Sequence, residues 1–123
     1  MNKIVIKTIP HKDQNYDTAG DYKNIDNNWF IYVSEMPKWE YEMLIAVHEL
    51  IEAILTHKRG IKWGDIDYFD MITAKGNRDP GTNKKAPYYR EHRFATIIEK
   101  MLAKQLKVNW EEYNKSFDNL KWK

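Results

Sequence analysis

Two long helical patterns, about Trp39 to Lys58 and about Tyr88 to Lys107, constrain this chain most, because each sets a histidine and a glutamate into its apolar stripe. With about 100° of rotation per residue and His48 at zero, Tyr41, Leu44, Ile45, Ile51 and Leu55 fall within roughly 60°, and Glu52 lies at about 40°. Met43, Val47, Leu50 and Ile54 widen that surface, so the first helix is expected to be largely buried. In the second helix, with His92 at zero, Glu99 lies near −20°, and Ala95, Leu102, Ala103 and Leu106 fall within about 80°. An imidazole or carboxylate withdrawn from water must be paired, hydrogen-bonded or bound to metal. If the two helices pack together, His48, Glu52, His92 and Glu99 converge in one partly buried polar site.

Spacing adds the chemistry. Side chains four apart on a helix are neighbours at about 6 Å, so His48 and Glu52 can hold the same ion from successive turns. His92 and Glu99 are two turns apart, roughly 10 Å of rise, so one of them joins that pair. His92 is the expected third ligand, since imidazole is the commoner ligand of a catalytic transition metal; Glu99 is expected to support a ligand histidine from behind. Glu49 lies about 100° around the helix from His48, where it could take a proton from a water at the ion without ligating the ion.

The segment VHELIEAILTHKRG therefore looks like a variant of the minimal zincin motif: His48 matches the first ligand, Glu49 the general base, and Glu52 stands where HExxH has its second histidine. A carboxylate there hardens the site, which moves preference toward manganese, iron or magnesium and weakens the case for a zinc peptidase, so the expected divalent ion is zinc or, given that carboxylate, manganese or iron. The wider pattern, VHELIEA, then DYFD, then APYYREH, FAT, IE and VNWEEY, resembles a family of small uncharacterised bacteriophage and prophage proteins. The resemblance covers most of the chain and implies a phage-encoded protein of the host cytoplasm.

Around these helices the chain reads as one α+β domain over 1–123. Residues 3–9 and 29–34 are β-branched and aromatic and read as strands. The polar stretch between them is a long loop or contains a further short strand around Asp21 to Ile25. Shorter helices are expected at 65–75 and 110–120, the last capped by Asn109, with the long ones at 39–59 and 88–107. The expected architecture is a small N-terminal antiparallel sheet packed on a helical core.

Composition narrows function. With no cysteine, thiolate zinc sites, iron–sulfur clusters, thiol nucleophiles and disulfides are excluded. Lys+Arg 20 against Asp+Glu 18 gives a net charge of +2, too near neutrality for a protein that coats phosphate backbones, so nucleic acid is not an expected partner. No apolar run approaches the roughly 20 residues of a spanning helix, so no membrane role is expected either.

The preferred reading is a metal-dependent hydrolase with the ion on His48, Glu52 and His92 and Glu49 as base, cleaving a peptide, amide or phosphoester bond, the peptide or amide bond foremost. Trp29 to Val33 could bind an extended peptide if it formed an exposed edge. The alternatives are a non-enzymatic phage accessory protein that binds a host factor, with a structural metal or buried His/Glu network, and a magnesium-dependent nucleotide pyrophosphatase using Glu49 and Glu52 as ExxE. Asp67 and Asp70 are expected on a solvated helix face, Glu91 at the surface, and His11 and His57 without a special role. Trp110, Tyr113 and Phe117 are expected to dock the last helix, Tyr88 and Tyr89 to pack, and Arg78, Lys84 and Lys85 to contact an anion or lie in solvent.

Overall fold

A computed structural model describes residues 3–73 and 80–122. Strands β1 (Lys3–Ile9), β2 (Gly20–Ile25) and β3 (Asn28–Ser34) precede helices α1 (Trp39–Lys58), α2 (Trp63–Thr73), α3 (Tyr89–Gln105) and α4 (Trp110–Ser116), the last extended by a 3₁₀ turn over Phe117–Asn119. The α+β class and the helix positions agree with the sequence reading, with boundaries moved by a few residues. Arg78 and the expected end of the second helix at 74–75 lie outside the described residues.

The sheet has the order β1-β3-β2 and is mixed, not wholly antiparallel. A two-residue turn at Asp26 and Asn27, both with positive φ (51° and 63°), reverses β2 into antiparallel β3. β3 then runs in the direction of β1 and pairs with it in parallel, because the chain has reversed once into β2 and once more out of it. One consequence overturns an expectation: Trp29 to Val33 is the central strand, so it offers no edge to a peptide. On β2, which is an edge, the Gly20 carbonyl accepts from Thr18 Oγ1 at 2.8 Å and the Tyr22 carbonyl from Trp63 Nε1 at 2.7 Å. Groups that an added strand would use there are occupied.

Trp29, Ile31 and Val33 alternate onto the helix side of the sheet and are buried under α1. Since α1 lies across β3 and β2, Ile4 and Ile6 of β1 stay about half-exposed. The other side of α1 packs on α3, which brings the polar residues of both stripes into the same layer. α1 is less buried than its composition suggests: Met43 is 48% and Ile54 43% exposed, because the sheet and α3 together cover only part of its circumference.

Both long helices stop in the same way. After α1, Gly60 (φ 78°) sends its N–H to the His57 carbonyl at 3.1 Å while Ile61 N–H reaches Thr56 at 3.0 Å. After α3, Lys107 (φ 58°) and Val108 repeat the pattern to Lys104 and Ala103, with a side chain in the left-handed position that glycine fills in α1. Asn109 caps α4 as expected, its side chain accepting from Glu112 N–H at 2.9 Å. Among the described residues no helix is long and apolar enough to cross a membrane.

Candidate metal centre

Packing α1 on α3 brings His48 Nε2, Glu52 Oε2 and His92 Nδ1 to one point. Glu52 Oε2 lies 2.7 Å from His48 Nε2 and 2.6 Å from His92 Nδ1, and the two nitrogens are 3.1 Å apart. All three residues are buried, with 8%, 4% and 7% of their surface exposed for His48, Glu52 and His92. Ligand atoms in an ideal tetrahedral site with bonds of about 2.0–2.1 Å stand roughly 3.3 Å apart, so the edges of this triangle need to open by about 0.2 to 0.7 Å to hold an ion. Such a group could hold a metal ion.

Proton accounting makes the case physical. Tyr113 O–H donates to Glu99 Oε2 at 2.5 Å, and Glu99 Oε1 faces His48 Nδ1 at 2.7 Å, so that nitrogen carries a proton and donates it. In a neutral His48, Nε2 then presents a lone pair to the Glu52 carboxylate, acceptor to acceptor. Protonating Nε2 and His92 Nδ1 instead aims two N–H groups 3.1 Å apart at one oxygen. A divalent cation among the three atoms satisfies them all. Without one, the electrostatics substitute protons: burial would push His48 down, but its hydrogen bonds to Glu52 and Glu99 prevail and raise it to about 11. Burial would raise Glu52, and the bonds from His48 and His92 outweigh it, lowering Glu52 to about 2.

Glu49 does not join the triangle. Glu49 is half-buried and reaches the wall of a solvent-open cleft of about 310 Å³ that is also bordered by His48, His92, Trp110 and Phe117. Burial and the neighbouring Glu52 charge raise its pKa well above the carboxylate range, with His48 opposing in part. Two glycines make room for these side chains. A Cβ on Gly20 would stand 2.7 Å from Glu49 Oε1, and one on Gly81 would stand 2.3 Å from His92 Nδ1.

The sequence-predicted residues therefore divide. His48, Glu52 and His92 meet; Glu99 holds His48 from behind; Glu49 borders the cleft beside them. Other expectations fail. Asp70 is buried, not solvated, accepting from Tyr16 O–H at 2.8 Å and from Tyr88 O–H, because α2 turns that face onto the loop before β2 and the start of α3. Glu91 is buried in a two-pronged pair with Arg59, Nε to Oε2 at 2.6 Å and Nη2 to Oε1 at 2.7 Å. His11 bridges Ser34 Oγ and Asp17 Oδ1, both at 2.8 Å, and borders the cleft. Tyr113 docks α4 as expected, wedged among Tyr41, Trp110 and Phe117, and its hydroxyl also serves Glu99. Lys84 and Lys85 are exposed. Asp21, Tyr16 and Tyr88 were not singled out by any spacing, since they meet only through long-range packing; paired phenols near a carboxylate have no signature in sequence.

Fold and site define an α+β protein with a buried His–Glu–His group able to hold a metal ion. No protein-family model, curated protein or solved structure matches the chain.

Proposed function

We propose that this chain is a metal-dependent hydrolase of peptide or amide bonds, with a divalent ion held by His48, Glu52 and His92. The observation that carries the reading is the convergence of three lone-pair atoms within 3.1 Å of one another, on residues of which His48 and His92 border a cleft open to solvent. Two imidazoles and one carboxylate form the donor set of many catalytic zinc sites, and iron(II) or manganese accepts it too. A bound ion would supply a polarised carbonyl and a water of lowered pKa. Glu49 borders the cleft beside His48, where its carboxyl can receive that water's proton and return it to a leaving amine. Glu99, held by Tyr113, keeps the His48 proton on Nδ1 so that Nε2 faces the ion.

The cleft favours neutral substrate over phosphate. Its described lining contains Asp17, Glu49, Glu99 and Asp118 beside His11, His48 and His92, and no lysine or arginine that would hold a phosphoester or nucleotide. Trp110 and Phe117 give an apolar wall against which a substrate side chain can lie. The ExxE pyrophosphatase reading is weaker for the same reason, and because Glu52 is engaged by two imidazoles. The proposal retains the expectation of a phage-encoded protein acting in the host cytoplasm.

One observation favours a second reading: ligands this deeply buried also suit a structural ion in a non-enzymatic host-binding protein. Elemental analysis of the purified chain, with turnover of a quenched-fluorescent peptide library by wild type and Glu49→Gln, separates the two. The hydrolase reading expects one stoichiometric ion at the triad in both proteins, with cleavage lost in the variant. Metal retained with no cleavage by wild type would favour the structural ion.

A further inference from the structure

We propose that this chain forms a two-fold dimer in which the outward face of α1 packs antiparallel against the same face of a second copy. That face is Met43, Val47, Leu50 and Ile54, spaced four, three and four residues apart, as in the seam between two paired helices. With His48 at zero they lie between about −100° and −160°, away from the ligands His48 and Glu52 and from Glu49. Met43 and Ile54 are close to half-exposed, and no charged residue interrupts the stripe.

The sheet extends this surface. Ile4 and Ile6 are in register with Trp29 and Ile31, so they point to the helix side, where α1 lies over β3 and β2 and leaves β1 uncovered. Glu49 faces Gly20 of β2, so β1, across β3, lies toward the stripe on the other side of α1. Trp39, 63% exposed, adds to the surface at the start of the helix. At roughly 200 Å² for a fully exposed large apolar residue, Ile4, Ile6, Trp39, Met43 and Ile54 together leave about 500 Å² open. A standard interface takes about 800 Å² from each partner, about 65% of it apolar in homodimers, so this surface has the size a dimer requires.

Self-complementarity selects the occupant. The spacing reads the same in both directions, so a two-fold axis between Val47 and Leu50 sets Met43 against Ile54 of the second copy, and Val47 against its Leu50. The stripe ends in opposite charges, Glu40 at its start and Lys58 at its end, both at about −80°. Each lies about 13–14 Å of rise from the axis, so Glu40 of either copy comes beside Lys58 of the other. A parallel pairing would set like charges together at both ends. A lipid surface fits less well, because α1 has Lys58 as its one lysine or arginine against four glutamates.

The pairing leaves the cleft open. Ile45 and Glu49 border the cleft from the opposite side of α1, and the rest of its wall comes from α3, α4 and the segment before β2. The dimer therefore presents two clefts that face away from the interface, and its formation does not depend on an ion at the triad.

Sedimentation equilibrium of the full chain at concentrations up to about 100 μM tests this. Wild type is expected to reach twice the chain mass. Ile54→Glu, which puts an unpaired charge into the seam, should weaken pairing about 100-fold, and Met43→Glu takes its place if far-UV circular dichroism shows the first variant unfolded. Glu40→Lys should weaken pairing about 10-fold by setting like charges together, and Glu40→Lys combined with Lys58→Glu should recover it. A monomeric wild type, whether or not it binds phosphatidylglycerol vesicles, overturns the dimer, as does pairing indifferent to the seam variants. Pairing that the seam variants weaken but the double exchange fails to recover overturns the antiparallel register.

Discussion

At the scale of residues, the centre depends on His48 having one nitrogen committed before the other is used. Glu99 commits it: its carboxylate accepts a hydrogen bond from Nδ1–H at 2.7 Å and is itself fixed by Tyr113. Replacing such a supporting carboxylate commonly costs about 10–100-fold in metal affinity, and Glu99→Gln is expected to show that loss in zinc competition against a chromophoric chelator. Unchanged affinity would mean that Glu99 serves packing alone. Gly81 matters for the opposite reason, since its use is to be absent: a methyl group there would overlap the His92 ring. Gly81→Ala should therefore weaken metal binding as strongly as loss of His92 itself while the circular dichroism of the helices persists. The histidines and glutamates of this layer were legible in the sequence because they interrupt an apolar period. The glycines were not, because close approach is a property of two segments, and neither segment shows it by itself.

At the scale of elements, helix ends decide how firmly α3 and α4 present their residues. α3 stops with Lys107 at φ 58°, a conformation that costs an L-residue about 1–2 kcal/mol and glycine almost nothing. Lys107→Gly is expected to stabilise the chain by about 0.5–1 kcal/mol, less than that cost because the unfolded chain also gains freedom, and Asn109→Ala two positions on to destabilise it by about 1 kcal/mol through loss of its cap. Urea titration of both variants checks these opposite signs; a destabilised Lys107→Gly would contradict the assigned helix end. The helices and the Asn109 cap could be read from period and composition, since both are set within a few turns of chain. The turn at Asp26–Asn27, the parallel pairing of β1 with β3 and the burial of Asp70 on α2 could not, because each depends on which strand takes the central place and on how the loop before β2 folds back.

At the scale of the whole molecule, buried ionisable groups link stability to pH and to metal. Asp21 and Asp70, raised from 3.8 to about 7, bind protons more tightly in the folded chain; their contribution is present below about 3.8 and lost as pH rises through about 7. His48, raised from 6.5 to about 11, adds stability that is full below 6.5 and lost as pH rises through about 11. Glu52, lowered from 4.5 to about 2, acts in the other direction, its contribution present above 4.5 and lost as pH falls through about 2. The chelator-treated protein should thus be most stable at about pH 4–5 and less stable at pH 8. Ion binding needs deprotonated ligands, so added zinc or manganese should raise the melting temperature more at pH 8 than at pH 5. Scanning calorimetry across that range, with and without chelator, measures both trends, and a chelated protein that melts higher at pH 8 than at pH 5 would refute the assigned shifts.

What the sequence by itself determined was local and periodic: two helices whose apolar faces carry His48, Glu52, His92 and Glu99, and the neighbouring Glu49. A period of 3.6 residues places those side chains on a face before any tertiary contact exists. Tertiary structure alone decided which atoms meet. It turned Asp21 and Asp70 inward with Tyr16 and Tyr88, brought Gly20 and Gly81 against Glu49 and His92, and put β3 at the centre of a mixed sheet. Those arrangements join residues far apart along the chain, and spacing carries no information about a contact whose geometry is set by the packing of every element between.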